Sequence, residues 1–295
     1  MLKLFILFLI GFNCCLAQLP NTDLWLFSIK KEKENYTIQQ GENITNRPGY
    51  DNQPSFSEDG SMIYYVSIRE DKQADIYTYN IGSKKIKQFT HSKISEYSPT
   101  LTPDKKIIAT VAVLEDSSQI VYPLDIKTGT FTNYPDRKFE DVQLNNFDSV
   151  GYFTFLNADT VLYYKLTQPH TLRARSLSAH TDIFIAENPA RGFKAISRKE
   201  FIFGIKDSAR TTFYRYNIVL SKAFKYSEYP SIAEDIIWHK EFGLLKSEGA
   251  QVLRFVQKEN KWTVLFDFAS SGITKITRFA FDGSNKKIVI VDNIK

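Results

Sequence analysis

The sequence predicts an all-β fold, a six-bladed β-propeller of four-stranded blades, and three observations support that prediction. A strand–turn–strand pattern at residues 54–66 returns at 99–111 and, in a weaker form, at 278–291. A unit that recurs along a chain indicates a repeat architecture. The second strand of each clear copy is almost continuously apolar, which indicates burial on both faces. The chain also contains 23 Phe, 16 Tyr and 3 Trp, and aromatic residues are favoured in packed sheets.

Each repeat turns between its first two strands at a short polar segment. Residues 102–105, Thr-Pro-Asp-Lys, suit a type I turn, because the proline has its φ already set. In the first copy Gly60 occupies the place where a left-handed residue closes the hairpin. Lys105 occupies the matching place in the second copy, where a non-glycine residue costs ~1 kcal/mol. We therefore interpret the turn carboxylates as structural, namely Asp59, Asp104 and Asp282.

Residues 1–17 have the pattern of a secretory signal peptide. The basic Lys3 precedes an apolar run over residues 4–10, and the run is too short to anchor the chain in a bilayer. Both cysteines of the chain lie inside this segment, so the mature protein is expected to have no disulfide or thiolate chemistry. We predict that residues 18–295 form a single propeller domain, periplasmic or secreted, with no transmembrane span after cleavage.

The charge and the histidines narrow the range of ligands. The formal net charge of +5 falls to +4 once Lys3 is removed, and this small, dispersed excess argues against nucleic acid as a partner. None of the histidines has the close spacing of a metal motif. We therefore expect no metal and no cofactor. The four histidines are His91, His170, His180 and His239.

The order of the strands predicts that the N-terminus closes the ring. The last inner strand, at residues 278–281, is followed by only one further strand before the chain ends. A third-strand signature stands out of order at residues 25–29, before the first inner strand. We therefore predict that N-terminal strands at about residues 23–29 and 36–40 complete the last blade, which removes two sheet edges. The aligned inner-strand anchors are Phe56, Leu101, Phe155, Ile196, Trp238 and Phe279.

Two segments carry a family resemblance. Residues 52–60, N-Q-P-S-F-S-E-D-G, and residues 95–104, S-E-Y-S-P-T-L-T-P-D, resemble the TolB-like propeller repeats, also called PD40 or WD40-like repeats. Residues 276–283 are similar to the last repeat of that family. The resemblance extends over the chain after residue 17 and is to the stand-alone, exported, six-bladed members of Bacteroidetes-type bacteria. It implies an exported binding or scaffolding propeller.

Residues that precede the inner strands of a propeller line one mouth of its central channel, and this position supplies the candidate site. Arg191 and Arg278 are expected to hold carboxylates through paired hydrogen bonds. Tyr97 and Tyr152 are expected to stack on apolar or sugar faces. Alternatively, the mouth groups pair with one another and close the channel. The candidate ligand-binding residues are Asp51, Asn52, Glu96, Tyr97, Tyr152, Arg191, Glu234, Asp235 and Arg278.

The sequence leaves three functions open. The leading one is a non-catalytic, exported binding or scaffolding propeller that recognises a protein, peptide or glycan partner at the channel mouth. The alternative is a hydrolase or lyase, because a glycosidase needs carboxylates around one sugar and Glu96, Glu234 and Asp235 are candidates for that role. The third is an envelope protein whose blade sides make the contacts.

Overall fold

The computed structural model describes residues 19–33, 35–132 and 148–294. The predicted signal peptide at residues 1–17 and most of an insertion expected at residues 136–148 lie outside the described residues. The described chain forms 24 β-strands and two short 3-10 helices, Gln257–Glu259 and Ala269–Ser271. None of the helices in these described ranges is long and apolar enough to cross a membrane.

The strands follow in chain order. The N-terminal strands are β1 (Thr22–Glu32), β2 (Asn35–Ile38) and β3 (Glu42–Asn43). The first unit contains β4 (Tyr50–Phe56), β5 (Met62–Ile68), β6 (Ala74–Asn80) and β7 (Lys85–Gln88). The second contains β8 (Ser95–Leu101), β9 (Ile107–Val113) and β10 (Gln119–Asp125). The third contains β11 (Val150–Phe155), β12 (Thr160–Lys165), β13 (Thr171–Ser176) and β14 (Thr181–Glu187).

The remaining strands complete the ring. The fourth unit contains β15 (Pro189–Ala195), β16 (Glu200–Lys206), β17 (Thr211–Asn217) and β18 (Lys222–Tyr229). The fifth contains β19 (Ile236–His239), β20 (Gly243–Glu248), β21 (Gln251–Val256) and β22 (Lys261–Asp267). The sixth begins with β23 (Ile276–Phe281) and β24 (Lys287–Asn293).

Hydrogen bonding groups these strands into five sheets that contain six units. Units one, three, four and five are complete four-stranded antiparallel sheets, and unit two has three strands among the described residues. The nine-stranded sheet consists of units six and one, whose strands meet in the parallel pair Thr22 and Tyr50. The predicted all-β propeller of four-stranded blades is thus confirmed.

The N-terminus closes the ring as the sequence predicts. Strand β1 pairs with β24 over seven residue pairs, from Thr22 with Asn293 to Ser28 with Lys287. Strands β2 and β3 then pair with the free side of β1. In the last unit Phe281 pairs with Ile288, as Phe56 pairs with Ile63 in the first unit. The residue equivalent to Phe56 is therefore Phe281, two residues after the predicted anchor Phe279.

The core of the described chain consists of six hydrophobic clusters, one between each pair of neighbouring units. The cluster that joins the last unit to the first contains Leu24 and Val289 from one side and Phe56 and Tyr65 from the other. Because each middle strand faces a neighbouring sheet on both sides, it must be apolar on both faces. This explains the unbroken apolar runs in the sequence. The inner strand of each unit lines the central channel.

The turns between the first two strands adopt the predicted left-handed geometry. The φ angles of Gly60 and Lys105 are +66° and +63°, and Asn285 in the last unit has a φ of +59°. The turn carboxylate Asp59 accepts hydrogen bonds from the hydroxyls of its neighbours in the turn. These residues hold the far end of each inner strand, opposite the predicted mouth.

Candidate functional site

Five of the six inner strands contain a register shift where they enter the channel. In β4 and β8 the shifts lie between Asn52 and Ser55 and between Tyr97 and Thr100. Strands β11, β15 and β23 are shifted at the same level. A β-bulge bends the strand and re-aims its side chains. The mouth is therefore built by bulged residues, whose directions do not follow the strand's alternation.

A cavity of about 650 Å³ runs along the channel and is lined by the inner strands of all six units. That volume lies within the range of about 300–1,000 Å³ typical of ligand pockets. Four of the predicted site residues line it together: Tyr152, Arg191, Asp235 and Arg278.

These four residues form a charged group around one aromatic ring. The guanidinium carbons of Arg278 and Arg191 lie 5.3 Å and 5.8 Å from the centre of the Tyr152 ring, which is a cation–π arrangement. The Oδ2 atom of Asp235 lies 3.7 Å from Nε of Arg278 and 3.9 Å from Nη2 of Arg191. Both distances are too long for hydrogen bonds, and this oxygen has no hydrogen-bond partner among the described residues. The ion pairs of Asp235 with these two arginines are therefore loose.

The structure places the remaining predicted residues away from the cavity lining. Asp51 is fully buried and pairs with Arg47, whose Nε lies 3.0 Å from Oδ2 of the carboxylate. Burial raises the pKa of Asp51, although the hydroxyl of Ser67 and the charge of Arg47 oppose that rise. Asn52 is also buried and accepts a hydrogen bond from the backbone of Gln53. Both side chains are structural here rather than exposed to the channel.

Glu96 and Tyr97 also differ from the expectation. Glu96 is fully buried, and its carboxylate accepts hydrogen bonds from Ser92 and from Thr90, the latter at 2.9 Å. Burial raises the pKa of Glu96 to about 7. Tyr97 packs against the hydrophobic clusters on either side of the second unit. Neither side chain therefore belongs to the cavity lining.

The three carboxylates of the enzyme hypothesis do not converge. Glu96 is buried in the second unit, whereas Glu234 lies outside the cavity lining, 2.7 Å from Nζ of Lys206 and 3.4 Å from Nε of Arg191. Only Asp235 faces the channel. The expected meeting of all three carboxylates in the cavity is therefore not formed, although Glu234 and Asp235 both contact Arg191.

Residues beyond the candidate ligand-binding residues also line the cavity near its mouth. Gln53 and Ser98 occupy equivalent bulges with φ angles of +56° and +55°. Oε1 of Gln53 accepts hydrogen bonds from the backbone nitrogen of Ser98 at 2.5 Å and from its hydroxyl at 3.0 Å, which ties units one and two across the mouth. Lys194 lines the channel one level deeper. Gln53 and Ser98 are each followed directly by a proline, Pro54 and Pro99, and this shared proline is the sequence signal that marks the bulge.

Gly192 allows units four and five to approach each other at the mouth. A Cβ atom there would lie 2.3 Å from the backbone nitrogen of Ile236 and 3.0 Å from Cα of Asp235. The backbone nitrogen of Gly192 donates a hydrogen bond of 2.7 Å to the carbonyl oxygen of Glu234. This contact sets the position of Asp235 relative to Arg191.

Replacing Gly192 with alanine is expected to lower the free energy of unfolding by about 1–3 kcal/mol, because the clash is with backbone that must shift. The urea unfolding midpoint would measure the effect. Gly82→Ala is the matched control, since its Cβ would meet only Asn80 at 3.7 Å, and its effect should stay within about 0.5 kcal/mol. Equal urea unfolding midpoints for the two variants would show that the close approach of units four and five at Gly192 does not contribute to stability.

No protein-family model matches the sequence, and no curated protein is significantly similar to it. Solved structures are similar in fold. A putative TolB from Agrobacterium tumefaciens has a TM-score of 0.64 at 10% identity, with 94% of this chain and 99% of that chain covered. An oligogalacturonate lyase in complex with manganese has a TM-score of 0.56 at 11% identity, with 88% and 83% covered.

A puromycin-hydrolyzing peptidase from Mycobacterium tuberculosis has a TM-score of 0.55 at 9% identity, with 82% of this chain and 45% of that chain covered. At these identities the likeness shows the fold alone. The chain is a β-propeller, and TolB propellers are among the structures similar to it. Within the described ranges, no three His, Cys, Asp or Glu side chains group closely enough to hold a metal ion.

Proposed function

We propose that the chain is an exported, non-catalytic binding propeller that recognises an acidic segment of a protein partner at its channel mouth. The observation that carries this proposal is the charge of the mouth side of the cavity. Three cations, Arg191, Lys194 and Arg278, line this side together with one carboxylate, Asp235. Glu234 contacts Arg191 from outside the lining, but it also pairs with Lys206, so positive charge is in excess. Unbalanced cations in a partly desolvated cleft attract carboxylates and orient them through charge-assisted hydrogen bonds.

The loose ion pairs support binding rather than closure of the mouth. A carboxylate from a partner gains direct hydrogen bonds that Asp235, at 3.7 Å and 3.9 Å from the guanidinium nitrogens, does not make. The sequence-based alternative, in which the groups pair and seal the channel, would need Asp235 to form direct hydrogen bonds with the two guanidinium groups. The open cavity of about 650 Å³ beneath the cluster also favours an incoming ligand.

A peptide fits this mouth better than a glycan. Sugar recognition commonly uses an open aromatic face, but the ring of Tyr152 is already in contact with the guanidinium groups of Arg191 and Arg278. Tyr97, the other predicted stacking residue, packs against hydrophobic clusters. The charged groups therefore remain as the recognition elements.

Export is the second part of the proposal. It is supported by the signal-peptide pattern of residues 1–17, which lie outside the described residues, and by the position of both cysteines within that segment. Mature protein in the periplasm or medium, with its N-terminus near residue 18, would be the expected product of expression in a bacterial host. Full-length protein retained in the cytoplasm would contradict export.

The test of binding is affinity capture from an envelope extract with the mature protein and an Arg191→Ala/Arg278→Ala variant. Each charge-assisted hydrogen bond contributes about 1.5–3 kcal/mol, so the double variant should bind the captured partner about 100-fold more weakly or worse. Arg210→Ala/Arg254→Ala is the matched control, because it removes two positive charges from exposed positions outside the cavity lining. A partner held equally by all three proteins would place the interface on the blade sides.

A further inference from the structure

Lys194 lines the same cavity as Arg278 and Asp235, whose charges act on it, but its backbone lies one level deeper. It pairs with Ile202 in the regular part of β15, beyond the bulge that carries Arg191. Ser55 and Thr100 hold equivalent ladder positions in the first and second units and also line the cavity. The backbone of Lys194 therefore lies on the channel wall, deeper than the bulged residues of the mouth.

The amine of Lys194 has no direct partner. No hydrogen bond or ion pair within 4.0 Å joins it to any of the residues that the structure describes. Burial lowers the pKa of Lys194; the charge of Asp235 opposes this shift, and the charge of Arg278 lowers the pKa further. A partly buried amine without a counter-ion is costly to keep charged. A ligand that supplies an anion at this depth would remove that cost.

We propose that the channel contains a subsite for a carboxylate at the end of a peptide chain, in which Lys194 forms an ion pair with that carboxylate. This inference rests on the proposed function, because the same peptide segment passes the arginines at the mouth. The inference adds to the proposed function by naming the chemical group of the peptide that reaches Lys194, which is its terminal carboxylate.

The closed ring determines which part of a peptide can reach Lys194. The cavity is lined by the inner strands of all six units, and β1 connects the last unit to the first through the pairing of Thr22 with Tyr50 and through the hydrophobic cluster between those two units. A single extended strand that enters by its end needs less width than a hairpin loop does. Of the two chain ends, the C-terminus carries a carboxylate, whereas an N-terminal ammonium would be repelled by three cations.

The first test uses the reactivity of Lys194 with acetic anhydride, read by mass spectrometry of the mature protein. N-acetylalanine is the minimal chain-end carboxylate, and N-acetylalaninamide is its uncharged match. An ion pair raises an amine pKa by about one unit or more, so saturating N-acetylalanine should slow acetylation of Lys194 about tenfold. Lys240, an exposed lysine at the far end of the channel, should be unaffected.

The outcomes of this test separate the alternatives. Equal acetylation of Lys194 with the acid and with the amide would overturn the subsite. Protection by glucuronate but not by N-acetylalanine would also overturn it, because the subsite would then belong to an acidic sugar.

The second test compares acetyl-Glu-Ala-Ala as the free acid and as the C-terminal amide, with binding measured by calorimetry. The wild type should bind the free acid about tenfold more tightly. Lys194→Met should abolish that preference, whereas Lys240→Met should retain it. A preference that survives Lys194→Met would contradict the subsite. If Lys194→Met retains the captured partner at full affinity while Arg191→Ala/Arg278→Ala loses it, the subsite fails and the proposed function stands.

Discussion

Replacing Phe27 with alanine should lower the free energy of unfolding by about 3–5 kcal/mol, as expected for a fully buried phenylalanine. Its side chain is 0% exposed and contacts Phe268 of the fifth unit edge-on, with ring centres 4.7 Å apart. It also fills the space left by Gly41, where a Cβ atom would lie 2.2 Å from the Phe27 ring. The residue therefore joins the N-terminal strand to two units of the ring, and chemical denaturation would measure its contribution.

The matched control is Phe224→Ala, because Phe224 lies on an outer strand and is 52% exposed. That change should alter the free energy of unfolding by about 0.5 kcal/mol or less.

Deleting residues 21–41 should leave β24 unpaired on one side and yield an aggregating or unfolded product. A soluble deletion product with the melting temperature of the parent would contradict closure of the ring by the N-terminus.

Glu96 should make the protein less stable as the pH rises from about 4.5 to about 7. Its folded-state pKa is raised to about 7, first by burial and further by nearby Asp75, whereas the hydroxyls of Ser92 and Thr90 oppose the rise. In this window the folded protein keeps a proton that the unfolded chain has lost, so stability falls with rising pH. The loss approaches about 3 kcal/mol and is complete above pH 7.

Glu96→Gln removes this ionisation and should flatten the pH dependence, so the variant should be more stable than the wild type at pH 8. The difference between the two proteins isolates Glu96, since Asp75 remains in both. Glu58→Gln is the control, because Glu58 is exposed and its replacement should leave the curve unchanged. Equal pH dependence of the urea midpoint in wild type and Glu96→Gln would show that the buried carboxyl is not the cause.

The unit order and the ring closure could be predicted from the sequence because their signals are local. The signature at residues 25–29 specifies a third strand, and β1 occupies that place against β24. The turn residues Gly60 and Lys105 adopt the expected left-handed φ. Such features need only a few neighbouring residues to be recognised.

The candidate site was less predictable because bulges decide which side chains face the channel. A one-residue slip sends a side chain to the opposite face. Glu96 and Arg191 precede the regular part of their inner strands in the same way, yet Glu96 turns into the core and Arg191 into the cavity. Lys194 was missed because only residues before the inner strands were considered, although the cavity continues along them.

Photocrosslinking from within the mouth tests the central claim most directly. A benzophenone amino acid in place of Tyr152 keeps an aromatic ring in the cavity, and the same group in place of Phe224 samples the outer face of the fourth unit. The binding account predicts that the partner is crosslinked from position 152 and that Arg191→Ala/Arg278→Ala abolishes the product. A partner crosslinked only from position 224, or from position 152 regardless of the arginines, would contradict the account.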